Sequence, residues 1–142
     1  MSLNDEVRLA RKVYFSSAHY YESNSLSPKE NEEKFGSCYS EKGHGHGHNY
    51  ILEAEMQGPL DPISGLVVNL IDVDKVLKSV VSELDHKHLN HEVSHFKDII
   101  PTTENIALYL SKKLKPEIEA LKVKLVKLRL YEEEDLWVDV FL

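Results

Sequence analysis

Hydrophobic and polar positions first alternate with a period of two. Between Val7 and His19, the residues Val7, Leu9, Val13, Phe15, Ser17 and His19 share one parity, while Arg8, Lys12 and Tyr14 share the other. Side chains of a strand point alternately to its two faces, so this segment is predicted as a strand with its apolar face inward and His19 at the end of that face. A second strand is predicted from His46 to Gln57. There Tyr50, Leu52, Ala54 and Met56 continue the parity of His44, His46 and His48, and Asn49, Glu53, Glu55 and Gln57 take the other. The turn Gly58-Pro59-Leu60-Asp61-Pro62 ends it. Between these strands, Tyr20 to Gly43 is polar and aperiodic, a long loop of the kind that is usually functional or disordered. It holds one helical turn at Ser27-Pro28-Lys29-Glu30-Asn31-Glu32, with Ser27 as cap and Pro28 at the first helical position.

The period then lengthens. After the apolar run Leu66 to Ile71, Val73, Val76, Leu77, Val80, Val81 and Leu84 recur at helical spacing, with Asp72 as the expected N-cap. A second helix is expected from Thr102 or Thr103, turning Ile106, Leu110, Leu114, Ile118 and Leu121 inward and kinked or divided at Pro116. Two closing strands follow, Val123 to Glu132 and Leu136 to Leu142, separated by the solvated turn Glu133-Glu134-Asp135. In the first of them Val126, Leu128, Leu130 and Glu132 share a face. The order strand, strand, helix, helix, strand, strand predicts one α+β domain over residues 1–142, with antiparallel pairing.

Composition narrows the class. A chain of 142 residues suits one domain and buries roughly 70% of its unfolded surface, so it needs no disulfide staples. Apolar residues make up 42% and charged residues 29%, which excludes disordered and low-complexity classes. No apolar run approaches the roughly 20 residues of a membrane helix. Met1-Ser2-Leu3-Asn4-Asp5-Glu6 does not read as a signal peptide. The single cysteine cannot pair within its own chain, so a cytoplasmic, reducing setting is expected. A net charge of -7 argues against nucleic-acid or anionic-membrane partners.

Histidine changes the picture. Of eight, His44, His46 and His48 form one cluster, His86, His88, His91 and His95 a second, and His19 stands alone. Two histidines at i and i+2 on a strand point to the same side, roughly 7 Å apart, and can converge on one ion. Read alone, the tract is equally a loop that takes up metal adventitiously. Antiparallel pairing would bring the end of strand one beside the start of strand two, and then His19 meets the tract. Three nitrogen ligands with an open fourth position describe a catalytic zinc site. His46 and His48 are the better pair because Asn49-Tyr50 and the apolar alternation follow directly.

Other residues carry chemistry more weakly. Asp85 beside His86 is an aspartate–histidine pair suited to acid–base work, or else a helix end where histidine suits the dipole. Cys38, in the polar loop Gly36-Ser37-Cys38-Tyr39-Ser40, is either a passive small side chain or a nucleophile activated by a nearby cation. Glu132 ends an otherwise apolar face, where a carboxylate is costly unless paired. Glu104 falls in the first turn of the second helix, where an acid complements the dipole. A buried carboxylate suits the N–H edge of a guanidine-like heterocycle. His88, His91 and His95 read as exposed loop residues without a role.

Together these stretches resemble the 6-pyruvoyl-tetrahydropterin synthase family. Phe15-Ser16-Ser17-Ala18-His19 is similar to its first zinc-ligand segment, Phe35-Gly36-Ser37-Cys38 to its catalytic-cysteine segment, and His46-Gly47-His48-Asn49-Tyr50 to its paired zinc histidines. Leu84-Asp85-His86-Lys87 resembles its aspartate–histidine pair. Pro101-Thr102-Thr103-Glu104-Asn105 and Leu130-Tyr131-Glu132 resemble the stretches that hold the pterin. The resemblance implies a tunnelling fold, a four-stranded antiparallel sheet with two helices on one face, assembled as a homo-oligomer (usually a hexamer of two trimers) with active sites between subunits. It implies zinc on His19, His46 and His48, Cys38 as catalytic thiolate assisted by Asp85 and His86, and pterin held by Glu132, Glu104 and the Thr102-Thr103 backbone. Alignment on the cysteine would instead select His44 and His46. His46 and His48 are preferred, since an insertion in a loop costs less than a shift of strand register.

The implied reaction converts 7,8-dihydroneopterin triphosphate to 6-pyruvoyl-tetrahydropterin, with elimination of triphosphate and no nicotinamide, as in tetrahydrobiopterin biosynthesis. A second reading keeps the site but makes 6-carboxy-tetrahydropterin for queuosine biosynthesis, releasing acetaldehyde; the long cysteine–histidine loop leans away from it. A non-catalytic metal-binding module would leave Glu132 unexplained. A variant releasing a hydroxymethyl-pterin is typical of relatives with glutamate in place of Cys38. Zinc is the default metal for three imidazoles, with iron, nickel or cobalt as alternatives.

Overall fold

In the computed structural model, which describes residues 5–142, strand β1 (Glu6–His19) pairs antiparallel with β2 (His46–Pro59) along its whole length. Glu6 faces Pro59 at one end and His19 faces His46 at the other. Residues 1–4 of the opening segment, and with them most of the stretch read as unlike a signal peptide, lie outside this description. β2 pairs on its other side with β4 (Lys124–Glu133), and β4 with β5 (Leu136–Phe141), all antiparallel. Helices α2 (Leu70–Val81) and α4 (Thr103–Glu119) cover one face of this sheet. Between sheet and helices lie Tyr50, Leu52, Met56, Leu77, Ile106, Leu110, Leu114 and Leu128, each fully buried. Each such side chain contributes roughly 1.5–3 kcal/mol relative to leaving it in water.

The α+β class holds, but the sheet differs from the four antiparallel strands expected. Among the described residues it has five strands in the order β3-β1-β2-β4-β5, and it is mixed. β3 is only Lys87–His88, running parallel to β1 with Ser17 opposite Lys87 and Ala18 opposite His88. It forms because the chain leaving α2 returns along the outer edge of β1, where the amide of His86 donates to the carbonyl of Ser16 over 2.7 Å. Two residues are too few to show a period in sequence. Two short helices also join the expected pair: α1 (Pro28–Phe35) and α3 (Leu89–Glu92).

α1 is the helical turn expected at Ser27, carried a turn further. The Ser27 hydroxyl accepts from the Glu30 amide while the Glu30 carboxylate accepts from the Ser27 amide, a capping box, and Pro28 opens the helix. Buried Asn31 organises the loop ahead of it, accepting from the Ser23 amide and donating to the carbonyls of Ser23, Leu26 and Ser27. α2 is capped by Asn69, whose side chain accepts from the Ile71 amide, and Asp72 lies inside its first turn. α4 is capped by Thr102 and continues through Pro116 as one helix, undivided there. Pro116 and Lys112 are both exposed, so the carbonyl that proline leaves without a helical donor faces solvent. In β4 a bulge opposite Glu55 and Met56 makes Leu125 the fully buried residue in place of Val126.

Candidate metal centre and active site

The register of β1 against β2 builds the site. His19 opposes His46 and Ser17 opposes His48, so the three imidazoles leave one face of two neighbouring strands. Their ring centroids are 4.9 Å (His19–His46), 5.1 Å (His19–His48) and 4.9 Å (His46–His48) apart, each pair edge to face. One nitrogen from each lies within 4.8 Å of the others. His19 Nε2 and His46 Nε2 lie 3.2 Å apart. Among the described residues this is the one group of three or more side chains arranged to hold a metal ion. His44 lies outside it, exposed, with its carbonyl turned to the His88 ring.

The surroundings set the protonation of these rings. His19 is fully buried, and its Nδ1 lies 2.9 Å from the carbonyl of Pro101. A carbonyl only accepts, so Nδ1 carries the proton and Nε2 offers its lone pair inward. Burial pulls the His19 pKa down to about 4 and holds His46 below the ordinary imidazole value. Both are neutral at pH 7, the form that binds metal. His48 Nε2 is buried and makes no hydrogen bond, although Glu132 Oε1 is 3.2 Å away. A buried ring nitrogen without a hydrogen-bond partner, among two other imidazoles and a carboxylate, fits a cation at the centre.

The pterin-side candidates converge on the same place. Glu132 is buried at the end of β4, and its Oε2 accepts the hydroxyl proton of Thr103, also buried. Thr102 caps α4 by accepting from the Asn105 amide, which leaves Pro101 to hold His19 and Thr103 to hold Glu132. Glu104, in the first turn, is exposed.

Cys38 ends a 3-10 turn, Gly36–Cys38, that follows α1. Its carbonyl accepts from the Tyr21 amide over 2.7 Å, which ties the cysteine turn to the chain just beyond His19. Burial, and then the charge of Glu132, push the Cys38 thiol up. In the chain alone it is therefore a thiol at neutral pH, and forming the thiolate requires a positive neighbour.

Asp85 and His86 are placed differently. Asp85 Oδ1 accepts from the Ser16 amide at 2.9 Å and lies 3.7 Å from His86 Nε2. The His86 side chain is 82% exposed, on a backbone held at a φ of 60°. The pair borders a hollow lined by residues 14–16 of β1 and 49–51 of β2. One chain thus brings Cys38, Thr103 and Glu132 into the region of the histidines, while the His86 side chain stays exposed.

Sequence reasoning missed Tyr21. Its ring meets His19 edge-on at 5.1 Å and Phe35 at 5.8 Å. Burial, together with the charges of Glu132, Cys38 and Glu104, pushes its phenol well above the ordinary value. The available signal was parity, since Tyr21 follows His19 by two.

A profile of the 6-pyruvoyl tetrahydropterin synthase family matches residues 8–141. The chain belongs to that family. The human 6-pyruvoyl tetrahydrobiopterin synthase is 36% identical over 132 residues, covering 92% of this chain and 88% of the human one. The enzyme of that name from Poecilia reticulata is 42% identical over 103 residues, 72% of this chain and 69% of its own. The solved structure of Caenorhabditis elegans 6-pyruvoyl tetrahydropterin synthase superposes with a TM-score of 0.90 at 34% identity, over 99% of both chains. For this member of the 6-pyruvoyl tetrahydropterin synthase family, the three-histidine group and the Glu132–Thr103 pair sit at the shared end of β1, β2 and β4, beside the N-terminus of α4.

Proposed function

We propose that the protein is a zinc-dependent 6-pyruvoyl-tetrahydropterin synthase, a phosphate-eliminating lyase that converts 7,8-dihydroneopterin triphosphate to 6-pyruvoyl-tetrahydropterin and triphosphate. The observation that carries this reading is the meeting of three imidazoles with a buried, threonine-held carboxylate. His19, His46 and His48 would hold the zinc. When bound, the metal supplies a Lewis acid for the substrate side-chain hydroxyls and the positive charge that lowers the Cys38 thiol.

The chain's own residues divide the remaining work. Glu132 accepts from the N–H edge of the amino-pyrimidinone ring, and Thr103 fixes the orientation of its carboxylate. Glu104 and the Thr102-Thr103 backbone border the ring. Cys38 takes the proton from the side-chain carbon. Triphosphate leaves, and the side chain rearranges by internal redox.

Asp85 and His86 assist proton transfer in a site between subunits. An exposed imidazole on a left-handed backbone, beside a carboxylate fixed by Ser16, is the arrangement expected of a residue serving a neighbouring copy. The assembly proposed is a homo-oligomer, a hexamer of two trimers. The single domain spanning the chain works in the cytoplasm on this reading; no helix among the described residues is long and apolar enough to cross a membrane.

The test is mass spectrometry of products after zinc-loaded protein meets dihydroneopterin triphosphate. Pyruvoyl pterin with triphosphate supports the proposal. Carboxy-pterin with acetaldehyde moves the protein to the queuosine reaction, and unchanged substrate sinks both.

A further inference from the structure

The short loop leading into β2 is soft by composition. Gly43 and Gly45 have φ angles of 71° and 72°, and His46 follows at once. A Cβ on Gly45 would lie 2.1 Å from the carbonyl oxygen of His19, so loop and strand approach through bare backbone. Something outside the loop has to fix it, because a slip of one residue turns His46 and His48 to the wrong face.

The segment His88 to His91 supplies that grip. His91 Nε2 donates to the carbonyl of Gly43 at 2.7 Å, and His88 Nε2 donates to the carbonyl of His44 at 2.8 Å. Both Nε2 atoms are committed to carbonyls, so neither is a metal ligand in this arrangement. The two rings stack with centroids 4.2 Å apart, as expected for i and i+3 positions on a helical turn. The ring of Tyr20 lies 5.7 Å from His88 and 5.6 Å from His91.

The same segment holds the other strand. Asn90 accepts from the Tyr20 amide and donates to the Tyr20 carbonyl, both at 3.0 Å, and Tyr20 directly follows His19. His88 also pairs with Ala18 across β3 and β1. One stretch of chain therefore clasps the residue after one histidine of the cluster and the residues two and three before another.

We propose that His88, Asn90 and His91 are positioning residues that set the separation of His19 and His46 and so the affinity of the cluster for a divalent metal. This rests on reading His19, His46 and His48 as a metal site. Groups of this kind outside the ligand set typically govern affinity by about 10–100-fold.

The test is competition for zinc between metal-free full-length protein and a chromophoric chelator, with a thermal melt of each metal-free and zinc-loaded variant. His88→Ala/His91→Ala should weaken zinc binding by about tenfold or more. His88→Gln/His91→Gln, which restores an N–H donor at each position, should recover part of the loss. Should the double alanine variant not fold, His91→Ala alone removes an exposed ring and reads the same quantity. A purely structural role would lower the melting temperatures of both forms equally and leave zinc affinity at the wild-type value, and that result overturns the clamp. Wild-type protein that does not bind zinc overturns the metal site itself and the clamp with it, an outcome distinct from unchanged affinity in the variants.

Discussion

The backbone amide of Tyr21 donates to the carbonyl of Cys38 over 2.7 Å. This bond joins the turn that carries the cysteine to the strand end that carries His19, and it involves no side chain. Replacing the thiol should therefore leave the geometry intact. Cys38→Ala is expected to lose about 10²–10⁴-fold in turnover, the usual worth of a positioned proton-transfer group. Zinc content and melting temperature should stay at wild-type values. Turnover within a few-fold of wild type would remove Cys38 from the reaction.

Glu132 is held from one side by Thr103 and faces His48 from the other. Glu132→Gln keeps a hydrogen-bond partner for Thr103 and removes the charge that, on the proposed function, meets the pterin ring. Charged hydrogen bonds are worth about 1.5–3 kcal/mol, so KM or substrate Kd should rise by roughly 10–100-fold. Thr103→Val leaves a buried carboxylate oxygen without its donor, and denaturant titration should find a loss of about 1–3 kcal/mol.

The glycines before and within the site differ in a testable way. Gly45→Ala places a methyl group against the His19 carbonyl on a left-handed backbone. It should cost well over about 2 kcal/mol and weaken zinc binding as the strand ends part. Gly36 also has a positive φ, 56°, but its Cβ would meet nothing within 4 Å. Gly36→Ala should cost about 1–3 kcal/mol of backbone strain, with zinc affinity unchanged. Urea titrations and chelator competition on the pair measure both.

Away from the site, Arg129 and Asp139 form a two-pronged cross-strand pair, with Nε to Oδ1 at 2.7 Å and Nη2 to Oδ2 at 2.9 Å. The guanidinium holds the Asp139 carboxyl below its ordinary value. The folded state thus binds its proton less readily than the unfolded chain. The pair's contribution is present above about pH 3.9 and is lost as pH falls through the lower, folded value. Asp139→Asn should cost up to about 1 kcal/mol at pH 7, and its melting curve should approach wild type in strong acid.

Much of the centre was legible because strand parity carries long-range meaning. His19, His46 and His48 kept the parity of Phe15 and Tyr50, and antiparallel pairing then left them one meeting place. Glu132 stood out as a carboxylate on an apolar face, and Ser27 announced its helix through capping chemistry. Features that depend on remote backbone were not legible. β3 exists only because the chain returns beside Ser17, and the bulge that favours Leu125 over Val126 is a property of two strands together. The direction of His86 depends on a left-handed residue that is not glycine, and the work of His88 and His91 depends on a loop more than 40 residues upstream.

Pro101, Thr102 and Thr103 are consecutive, and their ends hold opposite halves of the centre: the Pro101 carbonyl takes the ring of His19, and the Thr103 hydroxyl takes Glu132. With Thr102 locked as the cap of α4, this stretch acts as a caliper whose two jaws are set by one short, stiff piece of backbone. A displacement of the start of α4 would reach His19 and Glu132 together, so this one stretch couples the imidazole group to the carboxylate.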